Sequence, residues 1–243
     1  MSATLSKGLG TAKLVNKNDG LNLAETKSFL ARAQELGYSY IDTAPRYSSG
    51  DAERMLGAAG LRQMNFQIGS KFGKRYSRLP YPLNRIQQRF LSRQPELTVW
   101  KEFFSPDRTV SEIHDSLRRL QIDYLDFYFL HAVPPTLILD DYADALTRAK
   151  ESGLIRNIGV SLDLPNQSDL SWCDAIQIPL RGREWTQYSV HQTRVLNSVY
   201  LDSNGNVASS LKTATEDSVE SIALIGTTSI EHLTTFSMEV DKV

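Results

Sequence analysis

The sequence predicts an α/β protein folded as a TIM-type (β/α)8 barrel with shortened connections in its C-terminal half. Three observations predict it. Short β-type runs alternate with helical patterns along the whole chain, eight such runs can be marked, and the 243 residues match the roughly 250 that such a barrel occupies. An open doubly wound sheet is the alternative, and eight strands in this length favour closure. No internal repeat, linker or low-complexity segment divides the chain, so residues 1–243 are expected to form a single domain.

The first candidate strand is Gly8–Leu14, followed by a helix across Asn22–Leu36. Asn22 can cap that helix with Glu25 three residues on, and Leu30, Ala33 and Leu36 give it an apolar face. Tyr38–Asp42 and Phe66–Phe72 are the second and third strands. Ser77–Asp107, rich in Pro, Arg and aromatics, is a long excursion of the kind that builds substrate sites at a barrel's C-terminal face. Thr109 and Glu112 stand at capping-box spacing and open a helix with Ile113, Leu117 and Leu120 on one side. Tyr124–His131 and Ile155–Leu162 are near-continuous apolar runs, as parallel strands buried on both faces are. Between them Asp140–Ser152 is helical and Gly153 ends it. Ala175–Leu180, Arg194–Leu201 and Ser221–Gly226 complete the eight. The connections Arg181–Thr193 and Asp202–Glu220 are short, so any helices there must be brief or irregular.

Composition narrows the function. Hydrophobic residues make up 41% and charged residues 23%, ordinary for a globular protein. A formal net charge of -1 gives no electrostatic ground for binding nucleic acid or an anionic membrane. The longest apolar segment, Tyr124–Val133, carries Asp126 and His131 and so does not span a membrane. Met1–Lys13 lacks an apolar stretch long enough for a signal peptide. Cys173, the sole cysteine, excludes an internal disulfide and fits a reducing compartment, so a cytoplasmic location is expected. His114 and His191 lack partners at metal-ligand spacing, and no metal is expected.

Four polar residues fall at or just beyond strand C-termini: Asp42, Tyr47, Lys71 and His131. In a barrel those ends converge on one pocket. A phenol of pKa about 10 is a poor proton donor near neutrality unless its phenolate is stabilised. A lysine ammonium in contact does that, and a buried aspartate keeps the lysine charged, so an acidified Tyr47 phenol is expected. A histidine N–H can bind the oxygen on which negative charge develops. Taken singly, each residue has a plainer reading: Asp42 as a turn or helix cap, Lys71 as a solvated strand end, His131 as a core histidine. The set carries the inference.

Around these residues the sequence resembles the aldo-keto reductases. Gly37–Ala44 with Tyr47, then Asp51-Ala52-Glu53 and Leu56-Gly57, resembles that family's second strand and following helix. Ser116–Leu120, Asp123–Asp126 and Leu130-His131 resemble its fourth-strand signature, and Gly153–Ser161 its fifth strand. Gly226-Thr227-Thr228-Ser229 with His232-Leu233 resembles its phosphate-binding turn, and Gly8–Ala12 its opening. The resemblance implies reduction of a carbonyl substrate with NADPH, or NADH. Tyr47 would be the general acid, Lys71 and Asp42 its tuners, and His131 the substrate-orienting donor. Ser161 and Gln177 would hold the nicotinamide carboxamide, with Gly10 and Thr11 beside it. Gly226, Thr227, Thr228 and Ser229 would meet cofactor phosphate at a helix N-terminus, with His232 or Lys212 near a 2′-phosphate.

The sequence also departs from the family. Ser48-Ser49 resembles a small insertion before Gly50, and Leu162 follows Ser161 where many members are polar. Asn197 stands where many place an aromatic or arginine against the nicotinamide, and Phe236 where a polar residue meets adenine. The chain stops at Val243 soon after its last helix, from which an open site for bulky or carrier-bound substrates is expected. Gly8–Ala12 and Gln177-Ile178-Pro179 resemble a branch found among polysaccharide and natural-product pathway reductases. Two other readings stand beside the reductase: a dinucleotide-binding regulatory module with little turnover, and a barrel isomerase acting on a phosphorylated substrate.

Overall fold

The structure, a computed structural model, describes residues 5–15, 19–74, 83, 86, 104–181, 192–199, 206–215 and 219–243. Eight strands run in chain order around a closed barrel: β1 (Leu5–Gly10), β2 (Tyr38–Asp42), β3 (Gln67–Phe72), β4 (Leu125–Leu130), β5 (Ile155–Ser161), β6 (Ala175–Pro179), β7 (Thr193–Asn197) and β8 (Ser221–Ile225). Each pairs in parallel with its neighbours, and β1 seals the barrel against β8 with Leu5 opposite Ser221 and Leu9 opposite Ile225. The α-helices described along their length are α1 (Leu23–Glu35), α2 (Asp51–Ala58), α3 (Thr109–Leu120), α4 (Asp140–Glu151), α5 (Val207–Ala214) and α6 (Ile230–Val240).

The barrel interior is filled by Tyr40, Phe127, Phe129, Ala175, Val195, Ile222 and Leu224, which form a cluster of their own. Tyr40 meets Phe127 edge-on at 5.7 Å between ring centroids. Two glycines make room for these rings. A Cβ at Gly69 would lie 2.0 Å from the Tyr40 hydroxyl, and one at Gly159 would lie 2.2 Å from the Phe129 ring. The second, larger cluster lies between strands and helices and includes Leu9, Phe29, Leu30, Ile113, Leu117, Tyr128, Leu146 and Phe236. Strand side chains alternate between these two environments with period two.

Expected and observed elements differ in instructive places. Asn22 caps α1 with the reciprocal Glu25 bond, as its spacing predicts. Gly153, at φ +78, turns the chain after α4. Thr109 does not cap α3. A 3-10 turn at Pro106–Arg108 leads straight into it, so Thr109 is already helical and its buried Oγ1 finds no partner among the described residues. Glu112 pairs instead with Arg108 at 2.9 Å. β1 begins earlier than its apolar pattern suggests, because pairing with β8 recruits Leu5, Ser6 and Lys7. Lys7 is buried and bonds Leu36 O at 3.0 Å, Ser237 Oγ at 2.7 Å and Asp241 Oδ2 at 2.8 Å. β7 stops at Asn197, where Ser198 takes a positive φ and turns the chain.

Shortening in the C-terminal half shows in two connections among the described residues. β5 and β6 are joined with no helix across residues 162–174. Gln192 donates to Leu170 O and to Cys173 O at 2.9 Å, satisfying carbonyls a helix would otherwise have used. Between β7 and β8 the helix α5 has 8 residues. Residues 182–191, most of the expected short connection Arg181–Thr193 with His191 in it, lie outside the described residues, as does most of the excursion after β3.

Candidate active site

Period two explains how the site is placed. Asp42 is two residues beyond Tyr40, Lys71 two beyond Gly69, His131 two beyond Phe129, Ser161 two beyond Gly159 and Gln177 two beyond Ala175. Each is therefore the next inward position after the interior cluster, at the C-terminal mouth. Ser161 and Gln177 sit opposite each other in the β5–β6 register, and Gly10 sits opposite Asp42 between β1 and β2.

Asp42 and Lys71 form the centre. Lys71, 1% exposed, places Nζ 2.6 Å from both Asp42 oxygens and donates to Thr43 O at 3.0 Å. The Tyr47 hydroxyl lies 3.3 Å from Lys71 Nζ and donates to Asp42 Oδ2 at 3.4 Å. The His131 ring stands edge-on to Tyr47, with centroids 6.0 Å apart and planes at 89°. Thus Asp42, Tyr47, Lys71 and His131 meet, although the sequence spreads them over three strand ends. Asp42 caps nothing; its carboxylate is occupied by the site.

Electrostatics alter one expectation. The Tyr47 phenol is not acidified: burial, then the Asp42 charge and the bond to it, hold its pKa well above the ordinary value. Burial is the largest cause, and the Asp42 carboxylate that accepts from the phenol adds to it, while Lys71 is itself matched by Asp42 at contact distance. Burial lowers the Lys71 ammonium, and Asp42 opposes that shift. His131 is pushed well below its usual range by burial, and further by Lys71, Arg46 and Lys74. It is a neutral imidazole near pH 7 with one N–H to donate.

The remaining expected residues ring the same mouth. Thr11 folds over the end of β1 and gives its hydroxyl to Asp42 O at 3.0 Å. Ser161 and Gln177 are buried, and Gln177 Nε2 reaches across the barrel to Asp42 Oδ1 at 2.9 Å. Gly226 follows β8, and a Cβ there would meet nothing within 4 Å, so the turn has open space over it. Thr227 Oγ1 accepts from Ser229 N at 3.0 Å, Ser229 caps α6 through His232 N at 3.3 Å, and Thr228 donates to Asp19 O at 3.0 Å. His232 is exposed beside Thr227, and Lys212 is exposed on α5. Phe236 is fully buried in the core, so it packs and cannot meet a ligand.

A buried hydroxyl and a buried amide, Ser161 and Gln177, at neighbouring strand ends and an open glycine turn before a helix N-terminus suit a dinucleotide's carboxamide and phosphate. Among the described residues no three His, Cys, Asp or Glu side chains are grouped to hold a metal ion, and no helix is long and apolar enough to cross a membrane. Three charged residues of the mouth escaped sequence reasoning. Arg46 and Lys74 act on His131, and Asp163 acts on Tyr47. Asp163 was findable, since it is two residues beyond Ser161; Lys74 carries no such signal.

The chain matches a model of the aldo/keto reductase family over residues 8–192. Aldo-keto reductase YhdN of Bacillus subtilis is 32% identical over 134 residues, 53% of this chain and 34% of that protein. NADH-specific methylglyoxal reductase of Escherichia coli is 33% identical over 138 residues, 54% of this chain and 39% of that protein. The chain thus spans less than half the length of these two curated relatives. The structure of aldo-keto reductase AKR11C1 from Bacillus halodurans, in its holo form, superposes with a TM-score of 0.74 at 21% identity, covering 97% of this chain and 86% of that one. An aldo-keto reductase from Klebsiella pneumoniae in complex with NADPH gives 0.63 at 21% identity, covering 99% and 90%. At these identities the two structures speak to the fold.

Proposed function

The chain belongs to the aldo/keto reductase family, and from that premise we propose that it reduces an aldehyde or ketone to the alcohol with NADPH, NADH being the second cofactor to test. The bound nicotinamide supplies the hydride. Tyr47 gives its proton to the carbonyl oxygen, and Lys71, 3.3 Å away, steadies the phenolate left behind. Asp42 keeps Lys71 charged and oriented. His131, neutral and edge-on to Tyr47, donates an N–H to the same oxygen as negative charge builds on it. Ser161 and Gln177 hold the carboxamide, with Gly10 and Thr11 beside it. Gly226, Thr227, Thr228 and Ser229 hold phosphate, with His232 at its edge.

The observation that carries the reading is the hydrogen-bonded group Asp42–Lys71–Tyr47 with His131 against it at the barrel mouth. We take residues 1–243 to act as one barrel domain in the cytoplasm, on a small-molecule carbonyl rather than nucleic acid or membrane. Small aldehydes head the substrate panel, methylglyoxal among them because relatives carry its name. Sugar nucleotides and carrier-bound carbonyls form its second arm, for the pathway likeness of Gly8–Ala12 and Gln177–Pro179. The test is a fluorescence titration with NADPH and NADH, then the panel with wild type and Tyr47→Phe. Tyr47→Phe is expected to bind cofactor within a factor of about two and to lose at least about 100-fold in kcat. Turnover kept in that variant would overturn the mechanism.

A second reading, a dinucleotide-binding regulatory module with little or no turnover, draws on Asn197, which cannot stack on a nicotinamide, and on the burial of Phe236. Tight cofactor binding with no oxidation by any carbonyl would select it.

A further inference from the structure

Gln177 makes a contact that holding a cofactor does not require. Its side chain leaves β6, crosses the barrel interior and places Nε2 2.9 Å from Asp42 Oδ1 on β2. Both residues are buried, 2% and 3% exposed. A carboxylate only accepts hydrogen bonds, so the amide must present its N–H to Asp42, and the Gln177 side chain has one orientation there. The contact divides the donors on the carboxylate: Oδ1 receives Lys71 and Gln177, and Oδ2 receives Lys71 and Tyr47. With Asp42, Lys71 and Gln177 all buried, a neutral donor on Oδ1 draws negative charge away from Oδ2, the oxygen that accepts from Tyr47.

We propose that Gln177 is a positioning residue for the proton donor: by holding Asp42 Oδ1, it limits the carboxylate charge that faces the Tyr47 hydroxyl. This rests on the reading of Tyr47 as the acid. The other groups facing that phenol are Lys71 from β3, His131 from the end of β4, Asp163 beyond β5, Tyr40 from within the barrel, and Arg46 beside it in sequence. The Gln177 side chain reaches none of these by a hydrogen bond among the described residues; its bond is to Asp42. Loss of the amide donor leaves Oδ2 richer in charge, the Tyr47 bond to it stronger, and the proton harder to release to substrate.

Gln177→Met keeps the length of the side chain and removes the donor. In cofactor-free protein labelled with 13Cζ-tyrosine, the Tyr47 resonance is assigned by its loss in Tyr47→Phe. In Gln177→Met at neutral pH it is expected to move toward the tyrosinate position. At saturating NADPH, kcat is expected to fall roughly three- to tenfold, part of the worth of one hydrogen bond to a charged group, because the effect reaches Tyr47 through Asp42. Gln177→Glu donates to Asp42 only while protonated. Its Tyr47 resonance should match wild type at acid pH and depart from it as the new carboxyl ionises, which keeps the test open if Gln177→Met does not fold. An unmoved resonance, with weaker cofactor binding and unchanged kcat at saturation, would overturn the proposal and leave Gln177 a cofactor ligand alone. Wild type that reduces no carbonyl would end the reductase reading, while the resonance would still decide whether Gln177 governs Tyr47.

Discussion

His131 folds as a neutral ring because burial and three nearby cations oppose its charged form. In the unfolded chain it takes a proton near pH 6.5, as any solvated histidine does. The unfolded state therefore binds more protons than the folded one as pH falls through that value, and stability drops with it. His131→Gln removes this penalty. Comparing melting temperatures at pH 7.5 and 5.5 should show a smaller fall in the variant than in wild type; equal falls would mean that the ring is charged in the fold. Chemistry of this kind was partly legible in the sequence. The residue types and their strand-end positions named Asp42, Tyr47, Lys71 and His131. The sign of the Tyr47 shift was not legible, since it depends first on how deeply the fold buries the phenol and then on the Asp42 carboxylate that accepts from it.

Between β2 and α2 the chain makes an element that the sequence marks only as an insertion. Ser48, Ser49 and Gly50 are all left-handed, at φ 49, 57 and 83, immediately after Tyr47. For a residue with a Cβ this conformation costs about 1 kcal/mol. The turn is held by Ser48 Oγ to Val15 O at 3.2 Å and by Arg54 to Ser49 O at 3.3 Å. Ser49→Gly should accordingly raise stability by about 0.5–1 kcal/mol in a denaturant melt, because glycine takes this left-handed backbone without the Cβ clash. A lower midpoint would show that its hydroxyl or packing outweighs the strain. Elements with strong local signals, such as the Asn22 cap of α1, were readable from residues alone. Thr109 shows where such signals fail: the same capping pattern is present, but Pro106 starts a helical turn ahead of it and overrides the cap.

Across the molecule, Lys7 links three parts of the fold that sequence places far apart: β1, the end of α1 at Leu36, and α6 through Ser237 and Asp241. Lys7→Met should cost about 2 kcal/mol by leaving the buried Ser237 hydroxyl and Leu36 carbonyl short of a charged donor. Asp241 is largely exposed, so the ion pair itself adds little. Hydrogen exchange should quicken first in residues 230–240, whereas a uniform change would argue against a local tie. The barrel class was legible from strand count and length. The helix-free crossing from β5 to β6 was not, because Gln192 supplies its missing hydrogen bonds from a distance in sequence.

That the barrel is sealed by β1 against β8 has a consequence for its birth. During synthesis the first strand emerges early and waits, with the polar groups along one edge unmatched, until the eighth has been translated and can dock. Throughout that interval a second nascent chain offers the same partner. Crowded ribosomes making this protein should therefore yield more strand-exchanged aggregate than slow, dilute translation does.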